Sequence, residues 1–160
     1  MTAWPEEVER VASVVRAAAV ESRIEEFDAG TPTAREAAEA VGCDLSQIVK
    51  SLVLVCDGAF VLALVPGDRR ADEELIAAAV GATHVRVARP DEVVHATGFE
   101  PGAVAPFPQR AISQTLIEST LLRHDVVWVG AGTQRHMASL APLELQRLTK
   151  ARPVDLVSPG

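Results

Sequence analysis

Apolar residues recur at helical spacing near the start of the chain, at Val8, Val11, Ala12, Val15 and Ala18. That period predicts an amphipathic helix over roughly 5–20. Pro5 followed by Glu6 and Glu7 marks its start, because proline suits the first turn and acids complement the positive end of the helix dipole. The pattern then changes. "RIEEFDAGTP" reads as a short extended piece and a turn, and Thr33 with Glu36 has the spacing of a capping box opening a short helix that Gly42 ends. "QIVKSLVLV", Gln47 to Val55, and "FVLALV", Phe60 to Val65, are runs of β-formers on either side of the turn dipeptide Asp57-Gly58, which predicts an antiparallel hairpin.

Past the hairpin, "ADEELIAAAVGA" is a helix with acids in its first turn and Gly81 at its end. "HVRVA" follows as a strand and "PDEVVHATG" as a short helix closed by Gly98. Further strands are expected near Arg110–Leu116 and in "DVVWVGAG", "MASL" and "PVDLV", with a helix from about Pro142 to Lys150. Hairpin-paired strands with unevenly interspersed helices predict an α+β fold, its sheet mixed and largely antiparallel or partly closed into a barrel. A chain of 160 residues is expected to form one domain, 1–160.

Composition narrows the class. With 48% hydrophobic and 23% charged residues the chain reads as globular, and no apolar run is long enough to span a bilayer. Glutamates stand where a secretory signal would have a basic region, so a cytoplasmic protein is expected. Cys43 and Cys56 lack the spacing of a zinc site or a disulfide framework and read as buried or half-buried free thiols. The net charge of −7 argues against non-specific grip on a long duplex. Its distribution matters, however: residues 1–44 hold 10 acids and 4 bases, a net of −6, whereas residues 45–160 hold 12 acids and 11 bases, a net of −1. The second part is free to carry a local basic face.

Three features could carry chemistry. Lys50, one of only two lysines, lies inside the first β-run on the face of Ile48, Leu52 and Leu54. It either points an ammonium at a cavity or snorkels from the strand's edge to water. "TGFEPGAVAPFP", Thr97 to Pro108, packs two glycines and three prolines into twelve residues. Within it, Gly102, Ala103, Val104, Ala105 and Pro106 form a G-x-x-x-P element that would present fixed main-chain N–H and C=O groups, or serve only as a stiff crossover. In "VGAGTQRHMASL", Gly130 and Gly132 end a strand and could let a ligand approach the backbone, with His136 following.

Taken in order, these features resemble the YbaK-type aminoacyl-tRNA editing domain, a family of free-standing deacylases and of domains inserted in many bacterial prolyl-tRNA synthetases. The resemblance runs from about Thr33 to Val157 and rests on "QIVKSLVLV", "TGFEPGAVAPF" and "VVWVGAGTQRHMASLAPLEL" with their order and separation. It implies a β-barrel-like sheet with surrounding helices and hydrolysis of the ester joining a wrong amino acid to the 3′-terminal adenosine of a tRNA, commonly tRNA for proline. It further implies that Lys50 holds the substrate and that Gly102 places backbone groups around the ester, with no metal or other cofactor. Ala103, Val104, Pro106, Gly130, Gly132 and His136 are the expected positioning residues. Arg69, Arg70, Arg110 and Arg135 are candidates for phosphate contacts. The expected partner is the acceptor end of the tRNA, delivered by prolyl-tRNA synthetase or an elongation factor if the domain grips little else. The competing class is a non-catalytic binder of a tRNA end or small ligand on the same fold.

Overall fold

The computed structural model describes residues 4–28 and 33–158. The turn expected within 29–32 lies outside these. Among the described residues five α-helices and eight strands follow the order α1 (Glu6–Ala17), β1 (Arg23–Glu26), α2 (Ala34–Val41), β2 (Val49–Cys56), β3 (Ala59–Pro66), α3 (Glu73–Val80), β4 (Val85–Val87), α4 (Pro90–Thr97), β5 (Gln114–Glu118), β6 (Val127–Gly130), β7 (His136–Leu140), α5 (Pro142–Thr149) and β8 (Arg152–Val154). Short 3-10 turns at Leu45–Gln47 and Ser119–Arg123 complete the chain.

The fold is α+β, on two sheets. One is antiparallel, in the order β1-β7-β6, and the other is mixed, in the order β4-β2-β3-β5-β8, with β5 and β8 added in parallel. A bridge between Ile48 and Trp128 joins them. The sheets stop short of a closed barrel, and β4 and β8 remain edges of the larger sheet. The expected strand at Arg110–Leu116 begins only at Gln114. Before it, Ala111 spends its amide on the Ala96 carbonyl, and only with the Ser113 N–H, which donates to the Phe60 carbonyl of β3, does the chain turn into the sheet. Gln47 belongs to a 3-10 turn rather than to the first strand of the hairpin.

Alternation along β2 divides the interior. Val49, Val53 and Val55 face the larger core with Phe99, Phe107, Ile117 and Val129, whereas Leu54 and Cys56 face a second core under α3 with Ile76 and Leu156. Phe99 and Phe107, 1% and 2% exposed, pin both ends of the Gly/Pro loop. Burying each contributes about 1.5–3 kcal/mol. Thr97 and Arg10 tighten the first end. The Phe99 N–H donates to Thr97 Oγ1 (3.1 Å), and the Arg10 guanidinium donates to the Gly98 carbonyl (2.9 Å) and lies 4.7 Å from the centre of the Phe99 ring.

Glu118 ties β5 to the segment after β8. Only 1% exposed, it accepts from the Thr120 hydroxyl (2.6 Å), the Thr120 N–H (2.9 Å) and the Leu156 N–H (2.8 Å). Burial alone would push this carboxyl up, but the three hydrogen bonds outweigh burial and the nearby Asp155, and hold it below the usual carboxylate range. A folded-state value below the unfolded one stabilises the protein above the unfolded value, and that stabilisation fades as pH falls through the folded value. Glu118→Ala strands buried donors and is expected to cost about 2–3 kcal/mol in urea unfolding at pH 7. The difference from wild type should shrink on acidification below about pH 4.

Candidate functional site

Between the place where β6 leaves β2 and the place where β4 joins it, the edge of β2 is open. The Gly/Pro loop lies over this gap. A cavity of about 390 Å³ results, lined by Lys50, Ser51 and Leu52 of β2, by Gly102 and Val104 of the loop, and by Gly130, Thr133, His136 and Met137. Ala34 and Ala37, three apart and so on one side of α2, close it together with Ile48. Three segments far apart in sequence thus converge on one space. Lys50, Gly102, Val104, Gly130 and His136 meet there, while Ala103, Pro106 and Gly132 do not line it.

Lys50 sits half-buried on the expected face of β2, and its ammonium donates to the Arg69 carbonyl at 2.7 Å. Burial pushes its pKa down from the ordinary lysine value, against the pull of Asp68, and Arg70 adds to the lowering. An ammonium has three donors, so two remain for a ligand. Gly102 takes φ +83°, a conformation that glycine adopts freely.

Gly130 is a close-approach glycine, but what approaches it is the protein itself. A Cβ there would lie 2.6 Å from the Val104 carbonyl oxygen. The contact therefore sets the height of the loop over β6. Gly132 plays the same part toward α1: at φ +106° its missing Cβ leaves room for the Glu7 carbonyl, which would stand 2.7 Å away. Both positions were expected to admit a ligand to the backbone. Gly130 lines the cavity while seating the loop, and Gly132 seats the N-terminal helix.

His136 opens β7 and is 3% exposed. Its Nδ1 lies 2.5 Å from the Thr133 hydroxyl, and the ring meets Trp4 edge-on with centroids 5.5 Å apart. Nε2 stands 3.3 Å from a Glu26 carboxylate oxygen, but the alignment makes no hydrogen bond. Burial pushes the imidazole pKa down, Glu26 pulls it up and Arg135 lowers it again. The net effect is a fall, which favours the neutral ring at pH 7. Four buried side-chain polar atoms lack a hydrogen-bond partner among the described residues, and two of them, Ser51 Oγ and His136 Nε2, belong to residues of this cavity. Unsatisfied buried polar groups are rare in folded proteins, and these two leave the cavity with hydrogen-bonding capacity that a water or a ligand could meet. Thr133, Ser51, Met137 and the α2 alanines escaped the sequence reading. The T-x-x-H spacing of Thr133 and His136 was the one available signal.

A second cavity of about 520 Å³ shares Lys50, Ser51, Leu52, Gly102 and Val104 with the first, and continues over Arg70, Val87 and Pro101. Of the four arginines expected to meet phosphate, Arg70 lines this groove. Arg135 is engaged with the Phe27 carbonyl and Asp28, Arg69 bonds the Ser158 carbonyl, and Arg110 lies beside Gly98. Cys43 is half-buried and Cys56 buried, both as free thiols. Among the described residues no helix is long and apolar enough to cross a membrane.

A family model described as an aminoacyl-tRNA editing domain matches residues 28–148, which contain every residue lining the first cavity. The uncharacterized protein YwhH of Bacillus subtilis is 31% identical over 130 residues, 81% of this chain and 82% of that protein. A proline–tRNA ligase of Lactobacillus gasseri is 30% identical over 115 residues, covering 72% of this chain but only 20% of the ligase. A crystal structure described as a candidate trans-editing enzyme for prolyl tRNA synthetase superposes with a TM-score of 0.90 at 34% identity, over 98% of this chain and 100% of the other. The chain belongs to the aminoacyl-tRNA editing domain family.

Proposed function

We propose that the chain, as a single domain, is a trans-acting aminoacyl-tRNA deacylase that removes a wrong amino acid from tRNA, with cysteinyl- or alanyl-tRNA for proline as its substrates. The observation that carries this reading is the convergence of Lys50, the Gly102–Val104 backbone and His136 on one cavity within the family's matched region. The likeness over the full length of the trans-editing candidate supports action without an attached ligase.

An aminoacyl ester is already activated, so positioning and fixed dipoles suffice in place of a strong nucleophile. Water attacks the ester carbonyl carbon, the bond to the ribose 3′-oxygen breaks, and the proton lost by the water ends on that oxygen. Lys50 and the main-chain groups of the loop meet the charge that develops on the carbonyl oxygen, while the neutral His136 orients the water. Arg70 in the neighbouring groove receives a backbone phosphate of the acceptor end. With so few cations placed there, prolyl-tRNA synthetase or an elongation factor delivers the tRNA.

The test is hydrolysis of 3′-end-labelled mischarged tRNAs, alanyl- and cysteinyl-tRNA for proline first. Release by the wild type above the buffer rate is expected. Absence of release across the whole panel, with synthetase added, would leave a non-catalytic binder of the tRNA end.

A further inference from the structure

Ser51 sits where the two cavities meet, and its surroundings leave it without a partner. It lies on the core-facing row of β2 between Val49 and Val53, both buried. Yet its hydroxyl finds no acceptor or donor. A hydroxyl held this way costs stability, and an apolar side chain would serve the core better. Its main chain is equally unemployed on one side. The Ala88 N–H donates to the Val53 carbonyl (3.0 Å), so Val53 turns its peptide groups toward the edge that β4 covers. Ser51, two residues earlier, turns its own N–H and C=O toward the same edge. The β4 pairing does not extend that far, reaching only Leu54, Val55 and Cys56.

The chemistry of the substrate says what belongs at this junction. In an aminoacyl ester of adenosine, the group between the amino acid and the base is the ribose, which keeps a free 2′-hydroxyl beside the esterified 3′-oxygen. With the amino acid in the first cavity and the terminal nucleoside in the groove of Arg70, Val87 and Pro101, the ribose falls beside Ser51. We propose that the Ser51 hydroxyl hydrogen-bonds the free 2′-hydroxyl of the terminal ribose, and so fixes the ester over the gap in the β2 edge. The inference rests on the deacylase reading for the identity of the ligand. Oγ is buried, so the contact requires a turn about χ1 to another staggered rotamer. A serine hydroxyl both donates and accepts, as the ribose hydroxyl does, so the pair is matched in either direction.

The experiment is a double-mutant cycle in binding. The probes are a non-hydrolysable 3′-alanylamido-3′-deoxyadenosine and its 2′-deoxy counterpart, titrated into wild type, Ser51→Ala and Ser51→Thr. Release from mischarged tRNA is measured in parallel. Ser51→Ala is expected to weaken the 2′-hydroxyl probe about tenfold and the 2′-deoxy probe less than about twofold. It should lower kcat/KM for release by a similar factor while Tm stays level or rises. Ser51→Thr keeps the hydroxyl and should retain the discrimination between the probes. Equal affinity of wild type and Ser51→Ala for the 2′-hydroxyl probe, or an equal loss on both probes, overturns the contact, and continued release by wild type leaves the deacylase reading standing. Discrimination without any release reverses that result: the contact stands and the deacylase fails. A wild type that neither binds the probes nor releases amino acid sinks both.

Discussion

Lys50→Ala is expected to slow release of the amino acid from mischarged tRNA by about 10²-fold, the loss typical of one oriented donor at a developing oxyanion. The fall should appear in kcat more than in KM, because the charge that the ammonium meets grows only as the carbonyl carbon becomes tetrahedral. Stability should fall by at most about 1.5–3 kcal/mol, the contribution of a charge-assisted hydrogen bond such as the one the ammonium makes to the Arg69 carbonyl. Circular dichroism and single-turnover kinetics on the same preparation separate the two effects. A mutant that keeps wild-type turnover would remove Lys50 from the chemistry and leave it as a tether for the Pro66–Arg69 turn.

Gly130→Ala is the second large effect, and it acts through the seat of the loop. The added methyl carbon would stand 2.6 Å from the Val104 carbonyl oxygen, closer than such atoms come without movement. β6 is held on one side by β7 and cannot withdraw, so the loop must rise. Phe99 and Phe107 hold the loop's ends in the core, and the displacement concentrates on Gly102 to Val104. A misplacement approaching 1 Å at a positioning group costs about 10²-fold in rate, and overpacking costs roughly 1–3 kcal/mol of stability. Activity should therefore fall by about two orders of magnitude in a protein that still unfolds cooperatively. Unchanged kcat with normal Tm would show that the loop's height over β6 is immaterial to the reaction.

What could be foreseen from sequence was local. The β2–β3 hairpin announced itself through Asp57-Gly58 between two apolar runs, and helix ends through Gly42, Gly81 and Gly98, each at positive φ. Strand parity placed Lys50 on the correct face of β2, but its partner is a carbonyl from a turn nineteen residues on, which no periodicity encodes. "RIEE" carries too little apolar signal to read as more than an extended piece, because the strand that covers β1 is β7. Glycines 130 and 132 were recognised as close-approach positions, while the identity of the approaching atoms depended on how the loop and α1 fold back. The Ser51 hydroxyl left no trace, since a serine in an apolar run reads the same whether it is satisfied or waiting for a ligand, and Thr133 left only its T-x-x-H spacing to His136.

The pairing of β1 with β7 has a further consequence during synthesis. Arg23 lies opposite Ser139, and the Phe27 N–H donates to the Arg135 carbonyl. His136, at the near end of β7, meets Trp4 from before the first helix. A nascent chain holds its opening segment long before the ribosome has made the strand that receives it, and such long-range closures form late. The cavity shares that timetable, since Thr133, His136 and Met137 are among its last walls to be translated. Partly made chains that stop short of β7 thus carry Lys50 and the Gly/Pro loop without the completed cavity, which closes only once β7 has been made and has paired with β1.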